Sequence, residues 1–263
     1  LASGYSVRAT RRLVNSIDKI DSKLEWLNIN LDAVGAEHFE GCDVFVHFAA
    51  AGVSPKQASR EEMIYWNVTV TQMLLEKAYV AGIRRVVIAG TFAEYGLSAN
   101  HYELIPPDAP LIPTTSYAAS KAACFVTCNA TAIELGLELC YLRVFSAFGE
   151  GQFESNFWPA LRKAALEGRD FEMTPGEQVR DYVPVEQVAM SFLHSATRID
   201  VKSGVPTVRN VGSGEPVSMR VFAEAWWQKL QATGTLKVGA LPYRPNEVMR
   251  FAPLISDYFS MGT

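Results

Sequence analysis

Three apolar runs of strand length, each closed by small residues and set between helical patterns, constrain this chain more than any other feature. GCDVFVHFAAAG at 41–52 joins a glycine turn, an apolar run and a small-residue loop. RRVVIAGT at 84–91 ends on Thr91, and LELCYLRVF at 137–145 ends on Phe145. Runs of this kind fit strands buried on both faces of a parallel sheet. Between them, Glu61 to Val80 is helical in pattern and stops at Ala81-Gly82, while a second helix runs from Tyr117 to about Leu135 and stops at Gly136. Strand alternating with helix predicts a doubly wound parallel sheet of the α/β class, with ligands beyond the carboxyl ends of the strands. Ala49 to Ala51, Thr91, and Phe145 with Ser146 all fall at such ends. The three stretches point into one crevice.

The chain has 263 residues, 49% of them hydrophobic, and a formal charge of −4, which is enough apolar material for a sizeable core. No apolar run approaches a membrane span and no signal segment opens the chain, so a cytoplasmic protein without a membrane partner is expected. The mild negative charge, with no basic run beyond Arg11-Arg12 and Arg84-Arg85, argues against nucleic acid. Cys42, Cys124, Cys128 and Cys140 have neither the number nor the spacing of a disulfide framework or a zinc site, and no metal is expected. Trp226 and Trp227 read as packing residues of a helix.

The chemistry is concentrated in IPTTSYAASK at 112–121. On a helix, Tyr117 and Lys121 are four residues apart and share a face, phenol beside ammonium. Bringing a tyrosine from a pKa near 10 to neutrality takes about 4 kcal/mol. A fixed cation at hydrogen-bond range, together with a bound nicotinamide ring, can supply that. A solvated helix face is the plain alternative, and context has to decide.

That context is a series of motifs along the whole chain. In order they are HFAAAG, NVTVTQMLL from Asn67, AGTFAEYG, YAASK, LRVFSAFGEGQ, NFWPAL from Asn156, VRDYVPVEQVA from Val179, RNVGSGEPVS from Arg209 and YRPNEVMR from Tyr243. Their succession resembles the extended short-chain dehydrogenase/reductases of the nucleotide-sugar epimerase/dehydratase type. The resemblance implies a Rossmann domain over residues 1–148. From 149 to 263 it implies mainly a smaller substrate domain, with some segments returning to the first. It also implies a homodimer.

It further implies roles for individual residues. Tyr117 would be the general acid or base at a sugar hydroxyl or ketone. Lys121 would lower its pKa and hold the nicotinamide ribose, and Thr91 would hydrogen-bond the reacting oxygen. Phe48, Ala49, Ala50 and Phe145 would line the cofactor, Asn67 would support the proton and water network beside it, and Asn30 and Leu31 fall where the family contacts adenine. Phe92, Ser146, Asn156 and Phe157 align with substrate-binding positions, Arg180 and Arg244 with pyrophosphate ligands, and Glu247 with a ribose contact. A structural ion pair of Arg180 with Asp181 or Glu177 is the alternative.

The departures are equally informative. The family's glycine-rich phosphate loop after the first strand is absent, Gly4 reads as a helix end and Tyr5 to Thr10 as the second strand. A fragment or incomplete chain is therefore expected, with a gap in the middle of the sheet. Arg11 stands where NAD-bound members have an acidic residue, followed by Arg12, and arginine there suits the 2′-phosphate of NADP over NAD. Dehydratases follow the threonine with an Asp-Glu pair; here Phe92 and Ala93 follow it, and neither can move a proton. What remains is reduction of a 4-keto-6-deoxy nucleotide-diphosphate sugar, with 4-epimerisation as the alternative.

Overall fold

The computed structural model describes residues 4–11, 24–53, 56–244 and 247–255. Arg12, one of the expected phosphate contacts, lies outside the described residues.

The chain opens with β1 (Val7–Arg11), β2 (Leu24–Asn28) and β3 (Val44–His47). A helical stretch follows, built of α1 (Arg60–Ile64), a π-turn over Tyr65–Val70 and α2 (Thr71–Val80). Next come β4 (Arg85–Thr91), the long α3 (Ser116–Leu135), β5 (Glu138–Val144) and the short β6 (Ser146–Phe148). The C-terminal part holds α4 (Phe157–Leu166), β7 (Phe171–Met173), β8 (Val179–Arg180), β9 (Tyr182–Pro184), α5 (Val185–Thr197), β10 (Thr207–Val211), β11 (Val217–Ser218), α6 (Met219–Lys229), β12 (Leu236–Val238) and β13 (Arg250–Phe251).

The central sheet is parallel, in the order β10-β5-β4-β3. β1 and β2 form their own parallel pair. Among the described residues no ladder joins that pair to β3. The two pieces are linked instead by Arg8, whose guanidinium on β1 donates to the carbonyls of His38 and Glu40 at 3.1 and 2.9 Å, just before β3. The first strand starts two residues later and ends one residue later than the expected Tyr5–Thr10.

β4 and β5 are apolar on both faces because helices cover both. One face packs α2 and α3 against Leu75, Val86, Ile88, Cys124, Cys128, Leu139 and Tyr141. The other packs Val87, Cys140, Leu142 and Val211 against Phe192 of α5. Each such buried side chain is worth about 1.5–3 kcal/mol relative to exposure. β3 was expected to be buried on both faces as well, yet only His47 of it is fully buried, because β3 is an edge of this sheet.

The helix expected over 61–80 is broken in its middle by the π-turn. Within that turn Asn67 is buried, at 1% exposure, and its side chain bonds groups outside the helix. α3 ends where the sequence predicts, on Gly136 in the left-handed conformation (φ 65°). In the C-terminal part a smaller apolar cluster joins Phe157, Leu161, Met173, Ala223, Trp226 and Trp227. β10 returns to the central sheet beside β5.

Candidate active site

The carboxyl ends of β3 and β4 meet the first turn of α3. Thr115 caps that helix, its hydroxyl accepting from the Ala118 amide at 3.1 Å, and this places Tyr117 and Lys121 one turn apart on the side facing β4. Lys121 is buried, at 3% exposure, and its ammonium donates to the Ala89 carbonyl of β4 at 2.8 Å. Tyr117 is half-buried, and a Cβ built on Gly52 would lie 3.4 Å from its ring and 2.6 Å from Met63 Sδ. Gly52 has φ 79°, so the loop after β3 can pass this close only with glycine.

Thr91 ends β4 and caps the turn over Phe92–Tyr95. Its hydroxyl accepts from the Ala93 amide at 3.3 Å, which leaves its own proton to donate elsewhere.

Asn67 fixes this arrangement from below. Its side-chain carbonyl accepts from the Ala51 amide at 2.7 Å, and its amide donates to the Ala51 carbonyl at 3.0 Å and to Ser120 Oγ at 2.8 Å. Ser120 in turn donates to the Tyr117 carbonyl at 2.8 Å. Expected at the cofactor, Asn67 is in this structure a clip between the β3 loop and the first turn of α3.

The electrostatics differ from the expectation that Lys121 lowers the Tyr117 pKa. Burial, then the Glu94 carboxylate, then Cys124, push the phenol up to about 12. The Lys121 ammonium is bonded to the β4 backbone rather than to the phenol. On the other side of Lys121, burial and the Lys121 charge hold His47 down to about 3, so this imidazole is neutral against Thr71 Oγ1 at 3.0 Å.

Sequence reasoning missed Glu94. It is fully buried, at 0% exposure, and accepts from the Thr91 amide at 2.8 Å, the Tyr141 hydroxyl at 2.9 Å and Arg143 Nε at 2.7 Å. Burial raises its carboxyl above the usual range, while Arg143, packed over the Phe125 ring at 4.4 Å, and the Thr91 amide favour the charged form. Breaking a buried pair of this kind by removing one partner costs about 3–5 kcal/mol. The signal in the sequence was a glutamate three residues after a capping threonine, the pattern of a capping box.

The other expected residues fall in several places. Ala49 and Ala50 follow β3, and Phe48 is 61% exposed with its ring against Phe192 at 4.6 Å. Asn30 precedes a short 3-10 turn without capping it, and Leu31 packs against the cluster of Val34, Val70 and Leu74. Arg11 closes β1, bonds Asn28 Oδ1 at 2.8 Å and lies over the Trp26 ring at 4.8 Å.

Phe145, expected to line the cofactor, is a core residue at 3% exposure, and its amide bonds the Val211 carbonyl at 2.9 Å. Phe157, expected at the substrate, opens α4 with its ring packed near Phe171 at 5.9 Å. Asn156 is the N-cap of α4 with no side-chain cap bond, and Ser146 opens β6, its amide bonding the Asp181 carbonyl at 3.0 Å.

Arg180 and Glu247, expected to hold different parts of a substrate, are partners at 2.7 Å. The alternative partners are used elsewhere: Asp181 takes the Ser213 and Gly214 amides, and Glu177 takes the Tyr243 hydroxyl. The Arg180 guanidinium also lies over Phe251 at 5.2 Å, and Phe251 meets Phe92 at 4.8 Å. Phe92 therefore joins the Thr91 turn to the Arg180–Glu247 pair. Arg244 is exposed, and its carbonyl accepts from the Glu247 amide at 3.2 Å. Among the described residues no group of three or more His, Cys, Asp or Glu could hold a metal, and no helix is long and apolar enough to cross a membrane.

Comparisons with known proteins bear on the family and the fold. CDP-abequose synthase of Salmonella muenchen is 23% identical over 95% of this chain and 80% of its own length. UDP-glucose 4-epimerase of Streptomyces lividans is 31% identical over 69% of this chain; the match spans only 59% of the epimerase, less than two thirds of its length. Among solved structures, MoeE5 in complex with UDP-glucose and NAD superposes with a TM-score of 0.81 at 26% identity, covering 97% of this chain and 83% of the other. The fold is thus that of a parallel-sheet α/β protein of the Rossmann type. With the family profile matching residues 1–212, the chain belongs to the NAD dependent epimerase/dehydratase family.

Proposed function

We propose that this protein reduces the C4 ketone of a 4-keto-6-deoxy nucleotide-diphosphate sugar, with Tyr117 as proton donor. The observation that supports this reading is the half-buried Tyr117, near Gly52 of the loop after β3 and one helical turn before Lys121, whose ammonium bonds Ala89 two residues before Thr91 on β4. A nicotinamide dinucleotide, when bound, supplies the hydride. The small residues after β3, with Gly52 close to the Tyr117 ring, suit the approach of such a cofactor. Arg11 at the end of β1 supports NADP as that cofactor, through charge-assisted bonds to a 2′-phosphate. Thr91 donates to the ketone oxygen, Tyr117 gives it a proton as the alcohol forms, and Lys121 holds the helix turn against β4.

Elimination is disfavoured on the same residues. Phe92 packs on Phe251 and Phe145, Ala93 carries no acid, and Glu94 is withdrawn into its pair with Arg143. A second reading, 4-epimerisation with retained NAD, is favoured by the 31% identity to a UDP-glucose 4-epimerase. One preparation separates the two. A reductase oxidises NADPH stoichiometrically with a 4-keto-6-deoxy nucleotide sugar, prefers it to NADH, and loses turnover in Tyr117→Phe with its circular dichroism unchanged. Conversion of a nucleotide hexose to its 4-epimer with no net cofactor consumption decides for the epimerase. More than a few per cent of activity in Tyr117→Phe removes the proton-transfer role.

A further inference from the structure

The strands on either side of β4 send out side chains that meet. β3, β4 and β5 are parallel neighbours in that order, so their carboxyl ends open on one side of the sheet, with Thr91 at the middle one. Beyond β3 the chain reaches Lys56 before α1, and beyond β5 it runs through β6 into residues 149–155 before α4. The Lys56 ammonium lies over the Phe153 ring at 5.0 Å. This contact joins the β3 side of the crevice to the β5 side, across the end of β4. Gly52, between β3 and Lys56, is the residue that passes close to the Tyr117 ring.

The segment 149–155 is tied to the β5 side at several points. Gln152 Nε2 donates to the Ala147 carbonyl at 2.8 Å, and the Phe153 carbonyl accepts from the Asn156 amide at 2.9 Å. Glu150 and Glu154 pair with Arg162 and Lys163 of α4 at 3.3 and 2.9 Å. Toward the other side it extends the Phe153 ring, which stays 48% exposed. Gly151, at φ 87°, gives the segment a joint in the left-handed conformation that glycine adopts without strain.

We infer that residues 149–155 form a lid over the crevice of Thr91 and Tyr117, with Phe153 as its catch and Lys56 as the group that holds the catch. From the proposed function this takes only that Thr91 and Tyr117 line the working crevice; it does not depend on which reaction runs there. A cation over an exposed aromatic ring biases an equilibrium by about two- to fivefold. That is enough to favour the closed lid and weak enough to let it open at every turnover.

The test is the accessibility of a thiol placed under the lid, which needs no ligand. Ala93→Cys puts that thiol on the turn after Thr91, at a half-buried position. The native Cys42, half-buried just before β3 and so at the opposite end of the strand, is the control outside the crevice. Labelling of both by N-ethylmaleimide is followed by peptide mass spectrometry. Lys56→Met and Phe153→Leu, each added to Ala93→Cys, are expected to speed labelling at position 93 about two- to fivefold and to leave Cys42 unchanged. Phe153→Trp is expected to keep it slow, because indole is the better partner for a cation. The same rate at position 93 in the parent, Lys56→Met and Phe153→Leu, including no labelling in any of them, overturns the inference. An equal rise at Cys42 also overturns it, since that reports a general loosening of the fold. Faster labelling at position 93 alone, in an enzyme that turns over no keto sugar, keeps the lid and rejects the reductase reading.

Discussion

Replacing Asn67 by alanine should unlatch the loop after β3 from α3. Three hydrogen bonds disappear, two to Ala51 and one to Ser120, all made by a side chain with 1% exposure. At about 1 kcal/mol net for each bond, the loss is roughly 3 kcal/mol. A domain of this size then loses about 2–4 °C of Tm per kcal/mol, or roughly 6–12 °C in all. Urea unfolding followed by the fluorescence of the five tryptophans reads the stability, and NADPH oxidation reads the consequence for the site. Because Ser120 also holds the Tyr117 carbonyl, kcat should fall further than the folded fraction does. A change of less than about 1 kcal/mol would mean that water replaces the bonds without cost, and the account of Asn67 as a clip would be wrong.

Two further outcomes follow from the same neighbourhood. His47 titrates near 3 when folded and near 6.5 when unfolded, so the unfolded chain binds the extra proton between those values. Stability should therefore fall as pH drops through that window, by up to about 1.4 kcal/mol per pH unit from this group. His47→Gln should flatten the slope in urea titrations from pH 6 to 4, and an equally steep decline in that variant would exclude His47 as its source. Gly90→Ala should destabilise by about 1–3 kcal/mol through overpacking, because the new methyl meets the Tyr141 ring at 2.3 Å; a fully stable variant would show that Tyr141 and Glu94 can shift freely.

The alternation of apolar strands with helices was enough by itself to determine the class of the fold. The local signals are strong there: β4 and β5 are apolar on both faces, Thr115 caps α3, and Gly136 ends it. Tyr117 and Lys121 were legible for the same reason, since a helix makes residues four apart neighbours. What the spacing could not reveal is which partner each side chain takes once other elements arrive. Lys121 faces Ala89 of β4, Asn67 faces Ala51 and Ser120, and Arg180 meets Glu247 from 67 positions away. Glu94 was least legible of all, because a glutamate after a strand reads as a solvated turn. Only the packing of β5 beneath it supplies the arginine, the tyrosine and the dry surroundings that pair its carboxylate.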